Sequence, residues 1–178
     1  MDLLGCLLVS EIGGVHCVGE VVETEAYIGP DDDASHANAR VGRTPRNEVM
    51  FGEAGVAYVY RSYGIHWCLN AVTGPEGFPA AVLIRALRPL EGLDAMRERR
   101  PGRSDRELLR GPGKLCAAMG VDLSSNGAPL TSPPLWLATG EPVSDADVAC
   151  GPRIGITRAA ELPLRFWLRG SLWVSATR

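Results

Sequence analysis

Lysine is almost missing from this chain: Lys114 is the only one, and every other basic side chain is an arginine. Chemistry that needs a side-chain amine therefore has a single candidate. The five cysteines (Cys6, Cys17, Cys68, Cys116, Cys150) are odd in number, widely scattered and contain no C-x-x-C pair. That argues against a disulfide framework and against a thiolate zinc site, and buried free thiols are expected. His16, His36 and His66 lack i,i+4 spacing and an accompanying carboxylate motif, so no metal site is expected. No G-x-S-x-G elbow, P-loop or dinucleotide fingerprint occurs, and no cofactor is implied. No apolar run approaches the roughly 20 residues that span a bilayer, and Met1-Asp-Leu-Leu-Gly has no basic n-region. The expectation is a cytoplasmic protein without a membrane partner.

What is present is ordinary globular material, 46% apolar and 22% charged. A chain of this length is most simply one domain, residues 1–178, able to bury roughly two-thirds of its unfolded surface. The formal net charge is −3, which on its face disfavours a nucleic-acid partner. Distribution says more than the sum. Glu20, Glu23, Glu25 and Asp31 to Asp33 gather negative charge, and Arg40, Arg43 and Arg46 follow directly as an all-basic segment.

Leu3 to Ile12 is a short apolar run, and Gly13-Gly14 signals a hairpin into a strand over Val15 to Tyr27. Val56 to Arg61 and His66 to Val72 read as strands joined by the tight turn Ser62-Tyr63-Gly64. Ala80 to Leu87 is an apolar strand stopped by Pro89, and it carries Arg85, whose charge needs a buried partner. Helices are expected over Glu91 to Arg100, Arg106 to Arg110 (capped by Ser104-Asp105), and from Gly111-Pro-Gly-Lys114 to a cap at Gly120. Residues 122–134 form a Pro-, Ser- and Gly-rich loop. Strands follow at Leu135 to Leu137, Arg153 to Thr157, and Pro163 to Val174 with a kink at Gly170. The sum is an α+β single domain with a curved, largely antiparallel β-sheet and a few short helices.

Side chains alternate along a strand, so Glu23, Glu25 and Tyr27 share one face, with Glu25 and Tyr27 roughly 7 Å apart. Gly29-Pro30 ends that strand and the Asp run leads to Ser35-His36. A carboxylate beside an aromatic ring, with a histidine on the next loop, suits a pocket that stacks a flat ring and activates water. Tyr58 and Tyr60 share a strand face. Tyr58 reads as core packing, whereas Tyr63 at a hairpin tip does not.

These residues carry a resemblance. Val22-Glu-Thr-Glu25-Ala-Tyr27 through Asp-Ala-Ser-His36, Gly42-Arg-Thr-Pro-Arg-Asn47, and Tyr58-Val-Tyr60-Arg-Ser-Tyr63-Gly with Asn70 resemble the alkyladenine (3-methyladenine) DNA glycosylases. So do Leu83-Ile-Arg85-Ala-Leu-Arg-Pro-Leu-Glu-Gly, Gly111-Pro-Gly-Lys114-Leu-Cys and Pro163-Leu-Arg-Phe-Trp-Leu-Arg-Gly-Ser, in family order along nearly the whole chain. The resemblance implies a monomeric enzyme acting on double-stranded DNA that contains damaged purines, flipping the nucleotide into a pocket. It implies that Tyr63 wedges into the stack, that Tyr27 and His36 line one side of the flipped base and Tyr60 the other, and that Asn70 on the pocket floor disfavours guanine. Glu25 matches the catalytic carboxylate, activating water at C1′, with Arg85 held near that water. Arg43 and Lys114 are the expected DNA contacts. With Lys114 at a helix N-terminus, placed for a phosphate, the reaction is expected to be monofunctional, without strand cleavage. Two other readings of the same residues remain: a non-enzymatic damaged-DNA binder using the aromatic hairpin, and a carboxylate-dependent nucleoside hydrolase.

Overall fold

The computed structural model describes residues 2–175, and the organising element is its second strand. The first strand, β1 (Leu7–Ser10), turns through Ile12–Gly14 into β2 (Cys17–Tyr27). A hairpin of β3 (Ala57–Ser62) and β4 (His66–Thr73) is followed by the long β5 (Ala80–Glu91). The helices α1 (Leu93–Arg99), α2 (Asp105–Leu108) and α3 (Pro112–Met119) come next. The short strands β6 (Thr131–Ser132), β7 (Leu135–Ala138), β8 (Val148–Gly151) and β9 (Arg165–Leu168) complete the described residues. All pairings are antiparallel, in the order β3-β4-β5-β2-β1-β7-β6, with β9 joining β2 to β8. The fold is α+β.

Strand β2 pairs along one edge with β5. Its other edge is divided: β1 takes Cys17 to Glu20, and β9 takes Glu23 to Glu25. Between these halves the register shifts twice in succession, so Val21 faces Leu87, Glu23 faces Ala86 and Thr24 faces Ile84. Val22 and Arg85 are left without partners across the ladder. Bulges of this kind re-aim side chains, and here the one on β5 falls at Arg85.

Alternation then divides the residues between two faces. Ala57, Val59, Leu69, Ala71, Ile84 and Leu87 enter the main core with Leu108, Leu109, Leu115 and Met119. Their neighbours Tyr58, Tyr60, Cys68, Asn70, Leu83 and Arg85 turn to the opposite face and line a cleft. Helix α3 packs on β4 and β5. Its close approach needs Gly113, because a β-carbon there would stand 2.7 Å from Cβ of His66. A smaller core of Ala37, Met50, Val72 and Ala81, capped by Tyr58, supports the loop side of the cleft.

Three strand expectations are corrected. Of Pro163 to Val174 only Arg165–Leu168 is strand (β9), because the chain turns away from the ladder at Arg169-Gly170, with Gly170 at φ +71°. Pro89 does not stop β5, which runs on to Glu91; Pro89 lies opposite Gly19 at a register shift, where a missing N–H is tolerated. Arg153 to Thr157 is an irregular loop with Gly155 at φ +77°, because Arg153 turns inward to an acidic partner instead of pairing in a ladder. The strand in this region is β8, a few residues earlier.

Candidate active site

The cleft holds about 860 Å³ and is lined by Tyr27, His36, Tyr58, Tyr60, Asn70 and Arg85, with Tyr63 and Lys114 at its margins. Beneath it lies Glu25, fully buried. Its Oε1 accepts the Ile154 N–H at 2.7 Å and meets Nη1 of Arg85 at 3.1 Å, and its Oε2 accepts the Tyr27 hydroxyl at 3.1 Å. Tyr27, Arg85 and Ile154 all line the cleft, so the carboxylate sits directly behind three cleft walls. A carboxylate offers about four acceptor positions. Oε1 has used two and Oε2 one, which leaves Oε2 the freer oxygen.

Arg85 resolves the charge problem of its apolar strand through two carboxylates. Its Nε donates to Oε1 of Glu23 at 3.1 Å while Nη1 faces Glu25. Glu23 is itself a hub, also accepting from Nε of Arg165 at 2.7 Å and from the N–H and hydroxyl of Ser175 at 2.6 and 2.8 Å. Two glutamates and two arginines thus form a charge-balanced buried cluster.

The walls are aromatic. Tyr58 and Tyr60 stack at 5.3 Å, and His36 meets Tyr60 edge-on at 4.4 Å. Nδ1 of His36 hydrogen-bonds the Tyr58 hydroxyl at 3.0 Å. Burial, helped by the Arg46 charge, lowers the His36 pKa to about 4, so its imidazole is neutral at pH 7. Burial pushes the Tyr58 hydroxyl up to about 12 and, joined by the Glu25 charge, raises that of Tyr27. Every hydroxyl of the wall stays protonated. Asn70 is held by a bond from its Nδ2 to the Tyr58 carbonyl at 2.9 Å.

Tyr63 is 85% exposed on the turn between β3 and β4. It has φ +50°, followed by Gly64 at +69°, the paired left-handed geometry of a tight hairpin. A bulky residue in that region is a rare and strained choice, and nothing in the core accounts for it. Arg43 lies outside the cleft, joined by both Nε and Nη2 to Glu48 and resting over the Phe51 ring. Arg46 of the same segment does line the cleft, with its guanidinium 5.4 Å from the Tyr60 ring centre. Sequence reasoning missed Arg46, and also Glu23 as a hub, Asp32, Arg153, Arg165 and the N–H of Ile154. Only Glu23 carried a signal, its shared strand face with Glu25. Among the described residues no group of three or more His, Cys, Asp or Glu side chains is placed to hold a metal, and no helix is long and apolar enough to cross a membrane.

A curved antiparallel sheet lines one cleft with stacked rings and sets a buried carboxylate behind it, a shape that suits a flat aromatic group. The chain belongs to the methylpurine-DNA glycosylase family, whose model matches residues 1–172. It is 49% identical over 175 residues to a Carboxydothermus hydrogenoformans protein provisionally named 3-methyladenine DNA glycosylase, covering 98% of this chain and 90% of the relative. Relatives with the same provisional name from Rhodopseudomonas palustris and Myxococcus xanthus are each 52% identical, over 174 and 179 residues. Both alignments cover 98% of this chain, and 82% and 85% of the relatives respectively. The chain is a DNA glycosylase, a hydrolase of N-glycosyl bonds in base excision repair.

Proposed function

We propose that this enzyme removes 3-methyladenine and related alkylated purines from duplex DNA by flipping the nucleotide into the cleft and hydrolysing its N-glycosidic bond. The observation that carries this reading is the fully buried Glu25 carboxylate, tied to Tyr27, Arg85 and Ile154 directly behind an aromatic-walled cleft. In the flipped complex the base lies between Tyr27 and His36 on one side and Tyr60 on the other. An alkylated purine is cationic, and electron-rich ring faces favour it over a neutral base. Asn70 disfavours the exocyclic amine of guanine. Water attacks C1′, the C1′–N bond breaks with its electron pair passing to the base, and Oε2 of Glu25 takes the proton. The cationic base departs neutral, so no protonated wall hydroxyl or imidazolium is called on. Negative charge at Glu25 stabilises the developing oxocarbenium sugar, and Arg85 holds the carboxylate in place. Lys114 and Arg43 meet the DNA backbone, Arg43 after exchanging Glu48 for a phosphate.

The test is a duplex bearing a single 3-methyladenine incubated with the protein. The expected products are free base and an abasic site, with strand scission only after alkali. Tight binding without release of base would favour a non-enzymatic binder, and release from free nucleosides alone would favour a nucleoside hydrolase.

Tyr63 is the wedge that fills the vacated stack. Because its ring is exposed, Tyr63→Ala is expected to change stability by less than about 0.5 kcal/mol, yet to weaken binding to lesion-containing duplex. Binding to single-stranded lesion DNA, which has no stack to hold open, should change much less. Melting the variant and measuring both affinities checks this; equal losses on duplex and single strand would remove the wedge.

A further inference from the structure

Against the Tyr27 ring lies a second buried ion pair, neither member of which lines the cleft and which the proposed reaction does not use. Arg153 and Asp32 are both fully buried, and Nη1 and Nη2 of Arg153 bond Oδ2 and Oδ1 of Asp32 at 2.5 and 2.8 Å. The same guanidinium donates to the Ala26 carbonyl at 2.9 Å and to that of Ala159 at 3.4 Å. It lies 4.7 Å from the centre of the Tyr27 ring. Four of its five N–H groups are engaged, and only Nε, buried as well, has no partner. Asp32 in turn accepts the backbone N–H groups of Ile28 and Ala34 at 3.3 and 3.1 Å. Burial is the largest single influence and raises the Asp32 carboxyl, but the hydrogen bonds and charge of Arg153, with the Ala34 and Ile28 N–H groups, together outweigh it and hold it below the ordinary range.

Each end of this pair leads to Glu25. The residue after Arg153 is Ile154, whose N–H is the donor on Oε1 of Glu25. The ring stacked on Arg153 is Tyr27, whose hydroxyl is the donor on Oε2. Asp32 sets the turn that carries Ala34 and, two residues later, His36 into the cleft wall. A buried ion pair contributes little net stability compared with apolar packing, so stability alone does not account for one placed between both donors on Glu25.

We propose that Arg153 and Asp32 are positioning residues that clamp the loop of Ile154 and the ring of Tyr27, so that both donors stay on the Glu25 carboxylate. The inference rests on Glu25 being the reacting carboxylate. The clamp acts through Glu25 without touching DNA. Weakening it should lower the enzyme's preference for positive charge at the sugar while sparing contacts to DNA in general.

The experiment compares affinity for two duplexes, one with a cationic pyrrolidine in place of the sugar and one with neutral tetrahydrofuran. The wild type should bind the cationic analogue more tightly. Asp32→Asn, which keeps the size and the turn acceptor, is expected to reduce that preference tenfold or more and to change tetrahydrofuran affinity less than threefold. Arg153→Lys, which keeps the charge but not the fork, should fall between. Ile154→Pro removes the N–H on Glu25, along with a cleft-wall side chain, while leaving Arg153 and Asp32 in place, and serves if the buried pair cannot be altered without unfolding. A preference lost in Glu25→Gln but unchanged in these variants overturns the clamp alone. A preference unchanged in Glu25→Gln overturns the role of Glu25 itself. Parallel loss of both affinities would show a merely structural pair and also overturn the clamp.

Discussion

Glu25→Gln is expected to bind lesion-containing duplex with near wild-type affinity and to excise the base at least roughly 100-fold more slowly, the range of a lost general base. Glutamine has the same shape, and its amide oxygen can still accept the Ile154 N–H that Oε1 now receives at 2.7 Å. Its amino group would meet the Tyr27 oxygen, which can accept a hydrogen bond once the phenol rotates its proton away. Arg85 keeps its bond to Glu23, so the guanidinium is not left unpaired. What disappears is an atom able to take a proton from water and a negative charge facing C1′. Single-turnover excision at saturating enzyme reads the chemical step without product release. A rate within a few-fold of wild type would remove Glu25 from the mechanism. A matched loss of binding would instead mean that the substitution had disturbed the cleft.

Strand and turn chemistry made much of this molecule legible in advance. The β3–β4 hairpin followed from alternating residues around Tyr63-Gly64, and α3 from Gly111-Pro112 at its start and Gly120 at its end. Those are local signals, and the structure follows them. The common face of Glu23, Glu25 and Tyr27 was also readable, because strand periodicity depends on neighbours alone. Pairing at a distance was not. Arg85 announced that it needed a carboxylate, but its sharing between Glu23 and Glu25 depends on two bulges, which periodicity cannot register. Asp32 stood in a run of three aspartates with nothing to separate it from Asp31 and Asp33. Only the fold brings Arg153 to it across 121 positions. Pro89 misled for a similar reason: a proline stops a strand unless it sits at a bulge, and the bulge, here at Leu90 beside it, is a tertiary feature.

Glu23→Gln is expected to cost more stability than any other change near the site. The carboxylate is wholly buried and receives Arg85, Arg165 and both donors of Ser175. Glutamine offers one acceptor oxygen where two are in use, and its amino group would oppose donors already pointing at it. The cluster of Glu23, Glu25, Arg85 and Arg165 would pass from balanced to a net positive charge away from water. Breaking a buried pair in this way typically costs about 3–5 kcal/mol, a large share of the roughly 5–15 kcal/mol that holds a domain folded. For a chain of this size that corresponds to a melting temperature lower by roughly 6–20 °C. Arg97 with Asp94 and Asp105 forms equally short contacts on the surface, but exposed pairs are screened and contribute little. Arg97→Gln should therefore leave the melting temperature nearly unchanged. Calorimetry on the two variants side by side makes the comparison. A Glu23→Gln transition within a degree or two of wild type would mean that the cluster does not hold β2, β5 and β9 together. In that case Arg85 would owe its position to the bulge of β5 alone.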